Sequence, residues 1–176
     1  MIAYKFLRPG GVGLFSGYEW RPGEWVDAGA ADPCRVGVHA CRVGDLPYWL
    51  AAELWEVELD GDVIEQERKV VAPRGRLARR VDAWDEAAAA EFRASCVERA
   101  RSTAPDYAGD VAMIADSRRT ALTGFVAARG AEMNGGVDAY FRERKAQADW
   151  LASKLQLGGD GYSRSRWSWR SGGRRS

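Results

Sequence analysis

Residues 54–67 read LWEVELDGDVIEQE. Leu54, Glu56 and Glu58 alternate with Trp55, Val57 and Leu59, which is the period of a half-buried strand. Asp60-Gly61 then supplies the favoured residue pair of a two-residue turn. The stretch therefore predicts a β-hairpin, with Asp62–Glu67 returning along the first arm. A hairpin at this point commits the surrounding chain to an antiparallel sheet. The flanks agree. Ile2–Leu7 alternates in part and ends at Arg8-Pro9-Gly10-Gly11. Leu14–Trp20, Glu24–Ala28 and Val36–Cys41 are short runs between Gly and Pro signals, and Lys69–Ala72 and Arg76–Val81 follow around Pro73-Arg74-Gly75. Between them, DLPYWLAAE at 45–53 predicts a short helix, with Asp45 as N-cap and Pro47 in the first turn, where its missing N–H does no harm.

Beyond Val81 the period changes. Asp82 can cap a helix from Ala83, along which Trp84, Ala88, Phe92, Cys96 and Arg99 recur at helical spacing. Ser102–Pro105 ends it. A second helix carries Tyr107, Val111, Ile114 and Phe125, with a break near Ser117, and Asn134-Gly135-Gly136 terminates it. A last helix spans Val137–Leu155 with Tyr140, Phe141, Arg144, Ala148 and Leu151 on one face. Strands followed by helices predict an α+β fold: an N-terminal antiparallel β-rich half, 1–81, packed with a C-terminal three- to four-helix half, 82–157, in one domain. Residues 158–176 form a Gly/Ser/Arg/Trp tail that is expected to be disordered.

No apolar run approaches the ~20 residues of a membrane helix, and the N-terminus has no secretory pattern. Three cysteines without such a pattern read as reduced thiols of a cytoplasmic protein. Five of the 26 Lys and Arg residues fall in Tyr162–Ser176, which holds no acid, so the body is mildly acidic and the tail basic. Arg164, Arg166 and Arg170 interleave there with Trp167 and Trp169, a composition suited to nucleic acid, an anionic surface or a protein partner.

Four groups could carry chemistry. The only histidine, His39, stands in VGVHACR, and on a strand it shares a face with Cys41. With Glu56 these are the candidate catalytic residues. Cys34, His39 and Cys41 also offer three N/S ligands, with Asp45 as a further donor, but C-x4-H-x-C is no standard zinc spacing, and no metal is expected. The plain alternative is a core histidine donating to a backbone carbonyl. Arg74 and Arg76, in a basic run from Arg68 to Arg80, could meet phosphate or merely charge a strand edge. Trp20, Trp25 and Tyr48 could line an aromatic face for a ligand or fill the core. Gly10–Gly13 precedes a strand and reads as a turn, not a phosphate loop.

The stretch from Gly37 to Val81 resembles an uncharacterised domain family of actinobacterial genomes. It is similar, more distantly, to phage and bacterial domains built on a G-[FIV]-H-A-C motif followed by a short helix and a strand ending EVELDG. Gly37, His39, Ala40 and Cys41, then Trp55 to Gly61, carry the resemblance. It implies the same division of the fold and a bacterial origin, and supplies no catalytic residue. Gln66–Gly75, QERKVVAPRG, also has the flavour of a segment in ADP-ribosyltransferase folds, which build a split β-core around NAD. That resemblance implies NAD as cofactor and Glu56, Glu58 or Glu67 in the place of a catalytic glutamate, although the HxxxE and R…S-T-S signatures are missing. With no complete catalytic set, the sequence points to a binding or interaction module. The alternative is an enzyme with a pocket around His39 and Cys41, in its most specific form a divergent NAD-using transferase.

Overall fold

The computed structural model describes residues 1–158. Eight strands precede three helices: β1 Ile2–Arg8, β2 Val12–Gly13, β3 Val26–Asp27, β4 Val38–Ala40, β5 Glu53–Asp60, β6 Ile64–Glu65, β7 Val70–Ala72, β8 Arg74–Arg80, α1 Glu86–Thr103, α2 Ala108–Asp116 and α3 Thr120–Lys154. The fold is α+β, divided at Val81 as the change of period indicates. Among the described residues no helix is long and apolar enough to cross a membrane.

The hairpin at 54–67 does not form. After Asp60-Gly61 the chain leaves the sheet, and β5 pairs antiparallel with β8, Glu58 opposite Arg76 and Asp60 opposite Arg74. The excursion between them builds a second sheet. The two orders are β2-β1-β5-β8-β3 and β4-β7-β6. Cross-strand charge explains the choice. Arg76, Arg79 and Arg74 reach Glu58 at 2.6 Å, Glu56 at 2.6 Å and Asp60 at 3.4 Å. Pairing with Ile64-Glu65 would instead set acid against acid.

Period-2 alternation sorts the large sheet into two faces. Ala3, Leu7, Trp55, Val57, Leu59 and Leu77 pack on Val38, Ala40, Val70 and Ala72 of the small sheet. Tyr4, Phe6 and Leu54 face the helices. There an aromatic column ties β1 to α1 and α3: Phe6 meets Trp84 edge-on at 5.7 Å, Trp84 meets Phe92 at 6.4 Å, and Phe92 meets Trp150 at 5.6 Å. Phe92 is fully buried, and its truncation to Ala costs about 3–5 kcal/mol.

The short helix is a 3-10 turn, Val43–Tyr48, not a helix through 53. Asp45 does not cap it; its carboxylate accepts from Arg42 Nε at 2.6 Å. The α1 cap is Asp85 rather than Asp82, with its side chain accepting from Ala88 N. The turn before it is committed to burying Trp84, whose Nε1 donates to Ala51 O. The break near Ser117 is present. The break at Asn134-Gly135-Gly136 is present too: Gly135 (φ −137°, ψ 16°) and Gly136 (φ +75°, ψ −177°) leave helical geometry, so the span labelled α3 is two helices meeting at a kink.

Candidate ligand-binding cleft

Strand β1 is held on one edge twice, at Tyr4 by a bridge to Cys41 and at Leu7–Arg8 by β2. Between these pairings, Lys5 and Phe6 wall a cleft of about 760 Å³. The loop from Leu14 to Trp20 forms one side, and Cys34–Cys41 the other. The volume lies in the range of small-molecule sites.

The walls are apolar and aromatic. Trp20 stacks edge-on with Tyr18 at 5.4 Å, and Phe15, largely exposed, does so with Trp49 at 6.2 Å. The charge is of one sign. Lys5, Arg35 and Lys69 line the cleft, and no Asp or Glu does. Lys5 Nζ donates to the His39 carbonyl oxygen at 2.5 Å and lies 5.1 Å from the Trp20 ring centre. Burial lowers its pKa to about 8. Lys69 Nζ donates to Cys34 Sγ at 2.8 Å.

His39 holds the cleft's mouth together. Its Nδ1 lies 3.1 Å from Gly37 O, and Cys34 N donates to its Nε2 at 3.2 Å. An N–H cannot donate to a nitrogen that carries a proton, so the ring is the neutral Nδ1–H tautomer. Burial, reinforced by the ammonium groups of Lys69 and Lys5, pushes its pKa down. Both ring nitrogens are engaged by backbone, one of them donating to a carbonyl as a structural histidine does. The pin also steadies Cys34, whose φ of 71° is left-handed.

The other expected site residues are scattered. Cys41 lines the cleft but is buried, and burial, with Asp45 nearby, pushes its thiol pKa up. Glu56 is held by two hydrogen bonds from Arg79. His39, Cys41 and Glu56 thus form no reacting set: a neutral, doubly bonded imidazole, a protonated thiol and an ion-paired carboxylate. The three glutamates of the transferase likeness are each paired with arginine, Glu56 with Arg79, Glu58 with Arg76 and Glu67 with Arg68.

Of the aromatic set, only Trp20 lines the cleft. Trp25 lies under the guanidiniums of Arg74 and Arg76, at 4.5 and 4.8 Å, and these arginines are neutralised by Asp60 and Glu58. Tyr48 sits between Arg68 and Arg144, at 4.4 and 4.9 Å, against α3. Among the described residues no group of three or more His, Cys, Asp or Glu side chains is placed to hold a metal ion. Arg164, Arg166, Trp167, Trp169 and Arg170 lie outside the described residues.

Sequence reasoning passed over Lys5, placed Lys69 only within the basic run from Arg68 to Arg80, and weighed Cys34 only as a metal ligand. A signal was available: the chain has just four lysines, Lys5, Lys69, Lys145 and Lys154. Comparison with protein-family models, curated proteins and solved structures finds no match to this chain.

Proposed function

We propose that this chain is a binding module whose cleft receives a compact organic anion carrying a flat ring. The distribution of the lysines carries the reading. Lys145 pairs with Asp149 and Lys154 with Glu91, each at 2.5 Å. The two lysines of the cleft have no ion-pair partner among the described residues, and no acid lines the walls around them. Burying the Lys5 ammonium without a carboxylate costs solvation free energy. An incoming anion offsets that cost through charge-assisted hydrogen bonds, while Trp20 and Tyr18 meet its ring. The basic run on β8 has weaker support as an anion site, because each of Arg74, Arg76, Arg79 and Arg80 already has an acidic partner.

The tail repeats the same pairing of cations and rings. Arg164, Arg166, Trp167, Trp169 and Arg170 are assigned an outer contact to the same kind of partner, an anionic one with stackable rings such as a single nucleic-acid strand.

Tryptophan fluorescence tests the reading, with phenyl phosphate against phenol as ligands. The phosphate quenches saturably and phenol does not. Lys69→Glu weakens the phosphate by about tenfold or more, because it puts a repulsive charge in the cleft where an attractive one stood, while Lys145→Glu leaves it unchanged. Equal response to both ligands, or equal loss in both variants, rejects the proposal.

A further inference from the structure

We infer that Lys5 is a covalent attachment point for an aldehyde borne on a flat ring that also carries an anionic group. The inference rests on the anion-binding reading of the cleft. Lys5 differs from every other lysine of the chain in its surroundings. Its Nζ has a neutral carbonyl, His39 O at 2.5 Å, and a ring, Trp20 at 5.1 Å, as neighbours. Lys145 and Lys154 are held by carboxylates, and Lys69 by the Cys34 sulfur. A carboxylate keeps an amine protonated; a carbonyl and a ring do so less. With its pKa lowered to about 8, Lys5 carries a free lone pair in roughly a tenth of molecules at pH 7, far more than an ordinary lysine does. An amine made nucleophilic by desolvation is the usual origin of imine-forming lysines.

The neighbours suit the remainder of such a ligand. Tyr18 and Trp20 receive the ring and Lys69 the anion, Arg35 being already paired with Asp32 at 3.7 Å. The reaction needs no other reactant. The Lys5 ammonium releases a proton to water, and its lone pair forms a C–N bond to the aldehyde carbon. The nitrogen sheds a proton and the carbonyl oxygen takes one, which gives the neutral carbinolamine. That oxygen then leaves as water with a second proton, and the product is the protonated imine. Amine and aldehyde are consumed, one water is released, and the single positive charge is retained beside the His39 carbonyl.

The experiment uses the full chain, pyridoxal 5′-phosphate as the aldehyde, and borohydride to reduce any imine, followed by peptide mass spectrometry. Pyridoxine 5′-phosphate, the corresponding alcohol, serves as competitor and as a ligand measured by itself. The expected result is labelling of Lys5 about tenfold or more ahead of Lys145 and Lys154, reflecting its larger free-amine fraction. The label is suppressed by the alcohol and lost in Lys5→Arg, which keeps the charge. Even labelling of all four lysines, or labelling unchanged in Lys5→Arg, overturns the inference. If the alcohol binds but Lys5 stays unlabelled, the covalent step fails and the anion cleft stands. If the alcohol does not bind, the anion reading fails with it.

Discussion

The ammonium nitrogen of Lys5 lies 2.5 Å from the carbonyl oxygen of His39, so the charge that lines the cleft is anchored to the backbone of the strand carrying the chain's only histidine. Fold and site meet at this contact. It spans the gap in β1 between the Cys41 bridge and β2, and it leaves the charge without a carboxylate.

Because Lys5 titrates near pH 8 when folded, anion binding should weaken as pH rises through that value, since the charged form exists below it. Titrations of phenyl phosphate at a series of pH values check this. The decline should be much smaller in Lys5→Arg, whose guanidinium stays charged.

His39 gives a second pH effect. Its folded pKa lies below the ordinary value, so on acidification the unfolded chain takes up a proton first. Stability is then complete above about pH 6.5 and falls as pH drops through and below it. Urea midpoints should decrease from about pH 8 to about pH 5.5, and His39→Gln should flatten that part of the curve, since no other histidine exists.

Gly37 cannot accept a side chain. Its φ is +126°, and a Cβ there would stand 2.6 Å from Val71 Cγ1 and 3.1 Å from Ala72 O. Gly37→Ala should lower stability by about 1–3 kcal/mol, read from the thermal midpoint, through strain and crowding together.

Thiol labelling separates the cysteines. Cys34 is exposed and Cys41 and Cys96 are buried, with burial pushing the Cys96 thiol up to about 12. A disulfide reagent should modify Cys34 alone in the native protein and all three in urea. Native reaction of Cys41 would contradict the packing against Tyr4.

Between α1 and α3, Glu143 accepts from Arg99 at 3.0 Å and from Gln147 at 2.8 Å, and is itself buried. Glu143→Ala leaves Arg99 uncompensated and should cost about 3–5 kcal/mol in chemical denaturation.

The division into sheet and helices was legible because the apolar period changes near Val81, and β5 was legible as a strand. Its partner was not. Asp60-Gly61 is a sound local turn signal, but pairing is decided by a strand fourteen residues further on, where Arg74 meets Asp60. The alternating acids of 54–60 and the arginines of 74–80 held that information as a cross-strand charge ladder. The cleft was less legible still. A lysine becomes a site by lacking a carboxylate neighbour, and only the fold decides neighbours. His39 drew attention by being the single histidine, and its partners turned out to be backbone atoms of Gly37 and Cys34.

The most direct test of the anion cleft is an amide NMR titration of the full chain with phenyl phosphate. The account predicts saturable shifts at Lys5, Trp20, His39 and Lys69, around one cleft. Shifts gathered instead on Arg74, Arg76, Arg79 and Arg80, or no saturable shift at all, would contradict it.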